Sequence, residues 1–186
     1  PKWLITAREI AEIDPFIQLE VYPEGIQESN IDEFLDGLDL ICDACDSIAT
    51  KASLRINARA RQIPVIMDTS DRGMLDVERY DEPESLKPGY LHGRIDDDTM
   101  ALFAQCEGWT AESLHAFVDL ENVSERGAAS IPMLGKEILA WPQVYTEVAA
   151  GGAFAAQASR RILLNQHMPD IRLYINLDEQ FAQSFS

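Results

Sequence analysis

The sequence predicts an α/β fold: a partial, Rossmann-like, doubly wound and mostly parallel sheet followed by a mainly helical region. Three observations carry this reading. Short apolar runs alternate with segments of helical periodicity up to about residue 81. The connections between them are short, as in a wound sheet. Beyond that point a stretch rich in proline and glycine, Glu82 to Gly93, leads into segments of mostly helical period. The expected organisation is therefore a nucleotide-binding type of domain over 1–81, and a helical region over 82–186 that either extends it or begins a linker to a further domain.

The elements follow in order. Trp3, Ala7, Ile10 and Ile13 share one face of a helix over 3–13, and Asp14-Pro15 stops it, because the residue before proline is driven out of the helical region. Ile17, Leu19 and Val21 alternate with polar neighbours and predict a strand. Ser29, with Asp32 three residues on, reads as a capping box opening a short helix. Leu38 to Cys42 predicts a strand buried on both faces. A helix over 47–61, a strand over 63–67 and a strand over 75–80 come next. Helices are expected near 97–106, 111–121 and 131–140, then a long one ending near Asn165, then a strand over 171–177. Gly151 and Gly152 sit inside that long helix, where each costs roughly 1 kcal/mol relative to alanine. Close approach of another element is the expected reason for them.

Composition narrows the function. Acidic residues number 32 against 15 basic ones, a net charge of -17. Such a field repels nucleic acid and anionic membrane surfaces, so neither is expected as a partner. No apolar run approaches the ~20 residues that span a bilayer. An odd count of cysteines, 3 in all, predicts reduced thiols and a cytoplasmic location.

The segment richest in chemistry is Leu38 to Asp46. A buried strand ends in Asp43 and Asp46, and a helix follows. Ligands of open α/β sheets lie beyond the carboxyl ends of strands, and a carboxylate there suits magnesium beside phosphates. The alternative is that one or both aspartates cap the helix. Cys42 and Cys45 form a C-x-x-C without a second pair, which reads as two core thiols and not a zinc site. Cys106 has only its identity to suggest a thioester. His92, in Leu91-His92-Gly93, is the most notable of 3 scattered histidines, with a structural or surface role expected. Asp96-Asp97-Asp98 reads as compensation of a helix N-terminus.

Four segments carry a resemblance. Pro1-Lys2, Ile13-Asp14-Pro15-Phe16-Ile17, Asp39 to Asp46 and Gln62 to Ile66 resemble, in order and spacing, the P-K, INP, D-L-V-x-D-x-x-D-N and x-x-P-L-V segments of the ThiF/MoeB/ubiquitin-activating superfamily. The resemblance implies a domain that binds ATP and magnesium and adenylates the C-terminal carboxylate of a ubiquitin-like or sulfur-carrier protein, or a small carboxylate. It implies ATP phosphate contact for Lys2, cofactor contact for Asp43 and Asp46, and the catalytic, magnesium-linked role for Asp46. Family members commonly dimerise, so an oligomer is expected.

The sequence departs from the family pattern at Ser47, Lys51 and Arg55, which replace asparagine, arginine and asparagine. It contains no G-x-G-x-x-G, so the chain is expected to be a fragment lacking the phosphate loop and unable to bind ATP tightly alone. The segment Met67 to Arg79 and the stretches around Trp141 and Arg160 resemble a bacterial branch in which a ThiF-like domain is fused to a nitroreductase-like flavin domain. Two functions follow: a carboxylate-adenylating enzyme, or a non-catalytic ThiF-like scaffold that dimerises or regulates a fused domain.

Overall fold

The computed structural model describes residues 1–184, which form two compact units, Pro1–Asp36 and the residues from Gly37 onwards. The first unit holds α1 (Lys2–Ile13) and α2 (Ile31–Leu35). Helix α1 ends where Asp14-Pro15 requires: Asp14 is extended, with φ -149 and ψ 107. Its carboxylate then accepts from the Phe16 amide at 2.9 Å. The expected strand over Ile17 to Val21 does not form, and these residues are exposed loop. Alternating side chains make a strand only where a neighbour completes the hydrogen-bond ladder, and none does so here among the described residues. Asn30, and not Ser29, stands at the start of α2. Tyr22 packs edge-on against Phe34 with centroids 5.4 Å apart.

The second unit contains one sheet. Its strands are β1 (Ile41–Asp43), β2 (Val65–Asp68), β3 (Met74–Glu78) and β4 (Ile171–Tyr174), in the spatial order β1-β2-β3-β4. Its helices are α3 (Ile48–Ala60), α4 (Asp97–Phe103), α5 (Ala111–Val118), α6 (Glu125–Ser130), α7 (Tyr145–Leu163) and α8 (Leu177–Ser184). Only β1 and β2 run parallel, joined by α3. Strand β3 is antiparallel to β2, and β4 to β3. The sheet is thus mixed, and the expectation of a mostly parallel sheet is corrected. A parallel connection needs a crossover of a dozen or more residues. The turn from Thr69 to Gly73 is far too short for one, so β3 folds straight back. Gly73, at φ +56, closes that turn with its α-carbon so near β4 that an added Cβ would lie 2.9 Å from the Ile175 carbonyl.

Helix α7 covers one face of β2 and β3. Ile66, Leu75, Val77, Ala158 and Ile162 make that core, with Leu40, Met168 and Leu173 packed against it. Gly151 provides the close approach expected of it: a Cβ there would stand 2.4 Å from both carboxylate oxygens of Asp68. Gly152, one residue on, faces open space. Two further expectations change. The helix near 131–140 is replaced by α6 and a single tight turn at Ile131–Met133, because Pro132 and Gly135, the latter at φ 73, interrupt the chain. The last strand stops at Tyr174, and Leu177–Ser184 is helical.

Candidate functional site

The end of β1 and the start of α3 bring two aspartates into different environments. Asp43 is the last residue of β1 and is buried. Lys51 and Arg55 lie four apart on α3, on the face turned towards it. Lys51 Nζ is 3.0 Å from Asp43 Oδ1, and Arg55 Nη1 donates to Oδ2 at 2.6 Å. The Cys45 amide also donates to Oδ1, at 3.1 Å. Burial alone would raise the Asp43 pKa, but the charges of Arg55 and then Lys51 hold it well below the usual carboxylate range.

Arg55 is fully buried and bridges onward. Its Nε donates to Glu78 Oε1 at 2.7 Å, and its guanidinium lies over the Phe117 ring at 4.9 Å. Glu78 in turn accepts from the Tyr80 hydroxyl and from the Leu91 amide at 3.0 Å. The carboxylates of Glu78 and Asp43 outweigh the desolvation of Arg55 and keep it protonated. Two of the three positions where the sequence departs from the family pattern, Lys51 and Arg55, are therefore the cations of a buried ionic chain.

Asp46 differs in every respect. It is exposed just beyond β1, and its carboxylate has no hydrogen-bond or ion-pair partner among the described residues. Nor does it cap α3: Ser47 does, its hydroxyl accepting from the Thr50 amide at 3.3 Å. The Asp46 carbonyl is held by the Trp109 indole N–H at 3.0 Å. Lys2, the first residue of α1 in the other unit, is exposed. Magnesium is commonly held by one or two carboxylates with phosphates and water completing its shell. The free oxygens of Asp46 fit that chemistry, whereas both oxygens of Asp43 already face cations. Among the described residues no group of three or more His, Cys, Asp or Glu side chains is placed to hold a metal ion by itself.

The cysteines do not behave as a pair of core thiols. Cys42 is exposed, because β1 alternates buried, exposed, buried. Cys45 is half-buried and its thiol donates to Asp43 Oδ1 at 2.8 Å. Burial and the adjacent Asp43 charge push its pKa up to about 12, so it is a thiol and not a thiolate at neutral pH. Asp96 caps α4, accepting from the Thr99 amide at 2.7 Å, with Asp97 and Asp98 in the first turn, as the acidic run suggests.

A second polar cluster surrounds β3 and β4. His92 Nε2 is 2.9 Å from Asp76 Oδ1 and Nδ1 is 2.6 Å from Asp170 Oδ1. Arg172 donates to both oxygens of Asp76, at 2.7 and 2.6 Å. Asp119 accepts from Arg94 at 2.9 Å and from the Tyr174 hydroxyl. Burial would lower the His92 pKa, but the hydrogen bonds to Asp170 and Asp76 and their charges push it up to about 9. His92 was visible in the sequence beside a glycine. Asp76, Asp119, Asp170 and Arg172 carried no local signal.

An α/β unit with a parallel strand pair, and an unpaired aspartate beyond its first strand, defines a class that comparison makes specific. Residues 1–112 match the ThiF family, and the chain belongs to it. It is 37% identical over 179 residues to the uncharacterized protein MT1398 of Mycobacterium tuberculosis (strain CDC 1551 / Oshkosh), a match covering 95% of this chain and 24% of that protein. The chain thus spans about a quarter of the length of this relative. No solved structure matches it at a significant level.

Proposed function

We propose that this chain contributes to an ATP-dependent adenylyltransferase that activates a carboxylate, the C-terminus of a ubiquitin-like or sulfur-carrier protein or a small acid. The observation that supports this most directly is the contrast between Asp43 and Asp46. Asp43 is buried and neutralised by Lys51 and Arg55. Asp46 is left free and exposed at the carboxyl end of the parallel pair, where wound sheets bind ligands. In this reading Asp46 holds magnesium against the ATP phosphates and offsets charge as pyrophosphate leaves. Asp43 acts at one remove, fixing the strand end and the first turn of α3. Lys2 contacts phosphate. In this reading a phosphate-binding segment of the intact, cytoplasmic and oligomeric protein completes the site.

The test is carboxylate-dependent ATP–pyrophosphate exchange by the intact protein. Asp46→Asn lowers exchange by orders of magnitude and leaves the thermal transition in place. Unchanged exchange in that variant removes the magnesium role.

A scaffold reading has its own support. Lys51 and Arg55 stand where the family carries other residues, and both are consumed by the buried ionic chain. Arginine and lysine are not interchangeable where bidentate contact is required. An intact wild-type protein without exchange activity towards any carboxylate favours a ThiF-like module that dimerises or regulates a fused flavin domain.

A further inference from the structure

A cleft of about 510 Å³ opens between the loop 87–95 and β4, lined by Lys87, His92, Arg94, Asp170, Ile171 and Arg172. Its size falls within the range of small-molecule sites. Its charge runs against the rest of the chain, whose net charge is -17. Cations outnumber the carboxylates that touch them.

The floor of the cleft is fixed. Asp76 and Asp170 hold both nitrogens of His92, and Asp76 holds Nε and Nη2 of Arg172. Arg172 Nη1 is buried without a hydrogen-bond partner, its closest carboxylate oxygen being Asp119 Oδ2 at 3.7 Å. The mouth is free. Lys87 is exposed and has no ion pair among the described residues. Arg94 uses only Nη2, on Asp119, and its side chain is 36% exposed.

The backbone that sets these groups holds a run of left-handed residues. Leu91, His92 and Gly93 are left-handed in succession, at φ 48, 62 and 81. Such conformations are costly for residues bearing a Cβ and concentrate at functional sites. Gly93 lets the Lys87 side chain lie close: a Cβ there would meet Lys87 Cβ at 3.2 Å. Gly89 lets the loop close on Ile95, whose carbonyl would be 2.2 Å from an added Cβ. The loop therefore gathers Lys87, His92 and Arg94 on one wall.

We infer that this cleft binds a small phosphate monoester, its phosphate held by Lys87 and by the Arg94 nitrogens that Asp119 leaves unused. A phosphate monoester presents three terminal oxygens to these donors, and a carboxylate presents two. Arginine supplies a fork and lysine a point charge, the usual division of labour on phosphate. Ile171 offers an apolar wall to the ester group. The site is separate from Asp46, since β4 and β1 are opposite edges of the sheet.

The test is an NMR titration of the chain with inorganic phosphate and, separately, glycerol 3-phosphate at low ionic strength. Both shift the signals of His92 and Arg94, with the ester binding more tightly. Lys87→Ala and Arg94→Ala each weaken binding about tenfold or more, as loss of a charge-assisted contact should. Asp46→Asn leaves binding unchanged. No shift in the His92 and Arg94 signals with either probe at ~10 mM, where a millimolar site is nearly filled, overturns the proposal. So does binding that survives intact in Lys87→Ala, whose ammonium has no ion pair among the described residues, or binding lost in Asp46→Asn.

Discussion

Replacing Arg55 by methionine tests the buried ionic chain directly. The guanidinium is fully buried and joins Asp43 at 2.6 Å to Glu78 at 2.7 Å. Methionine fills much of the same volume and carries no charge. Asp43 would keep Lys51 and the Cys45 amide. Glu78 would keep the Tyr80 hydroxyl and the Leu91 amide but lose its cation. Removing one partner of a buried pair costs about 3–5 kcal/mol, because the other charge is left in a poorly polarisable interior. That is a large fraction of the ~5–15 kcal/mol by which domains are stable. Urea denaturation should show a lower midpoint at unchanged slope. Lys51→Met should cost less, since Asp43 retains Arg55. Adding Glu78→Gln to Arg55→Met removes the orphaned charge, so the double variant should lose less than the sum of the two single losses. A loss below ~1 kcal/mol for Arg55→Met, or strict additivity in that cycle, would show that these charges are not coupled through the interior.

Other outcomes follow from the same geometry. His92 titrates near pH 9 when folded and near 6.5 when unfolded. Its contribution, up to ~3 kcal/mol, is therefore complete below pH ~6.5 and lost as pH rises through about 9. Asp76 and Asp170 face the ring directly, with Arg172, Arg94 and Lys87 around the same cleft. An imidazole NMR titration with a midpoint at or below 6.5 would contradict this. Gly151→Ala should destabilise by ~1–3 kcal/mol, as overpacking does. The new Cβ displaces the Asp68 carboxylate from the Ser70 amide it accepts from at 3.0 Å. Gly152→Ala, facing open space, should instead stabilise by ~0.5–1 kcal/mol; a thermal melt in which the two variants shift alike would refute the distinction. Ser47→Ala should lose ~1 kcal/mol and Ser47→Asn almost nothing, because asparagine caps equally well; equal denaturation midpoints for all three would mean that Ser47 does not cap α3.

The parts of the fold that were legible in the sequence were those governed by local rules. Asp14-Pro15 ended α1, the periodicity of Ile48 and Ala52 marked α3, and the apolar run at Ile63 to Met67 marked β2. Strand direction was not legible from periodicity, since a period of two is the same for parallel and antiparallel neighbours. The brevity of the turn after Asp68 was the available signal. Ile17 to Val21 misled because alternation reports which side chains could be buried, and not whether a partner strand exists. Lys51 and Arg55 stood out only as departures from a pattern. Their meaning required Glu78, which no spacing rule ties to α3. The His92 cluster was hidden for the same reason: Asp76, Asp119, Asp170 and Arg172 meet only when β4 pairs with β3.

The ionic chain also has a consequence for the order of events in folding. Its members come from β1, α3, β3 and the backbone at Leu91, so it is complete only once these elements have docked together. A charge buried before its counter-charge arrives would be penalised, so the side chains of Asp43, Arg55 and Glu78 stay hydrated until these elements have docked. The expected outcome is that the interaction forms after the rate-limiting assembly, which folding and unfolding rates of Arg55→Met would check. Interactions of that kind leave the folding rate nearly unchanged and slow the unfolding rate. Arg55 acts as a latch on the finished unit, setting how long it stays closed more than how fast it is reached.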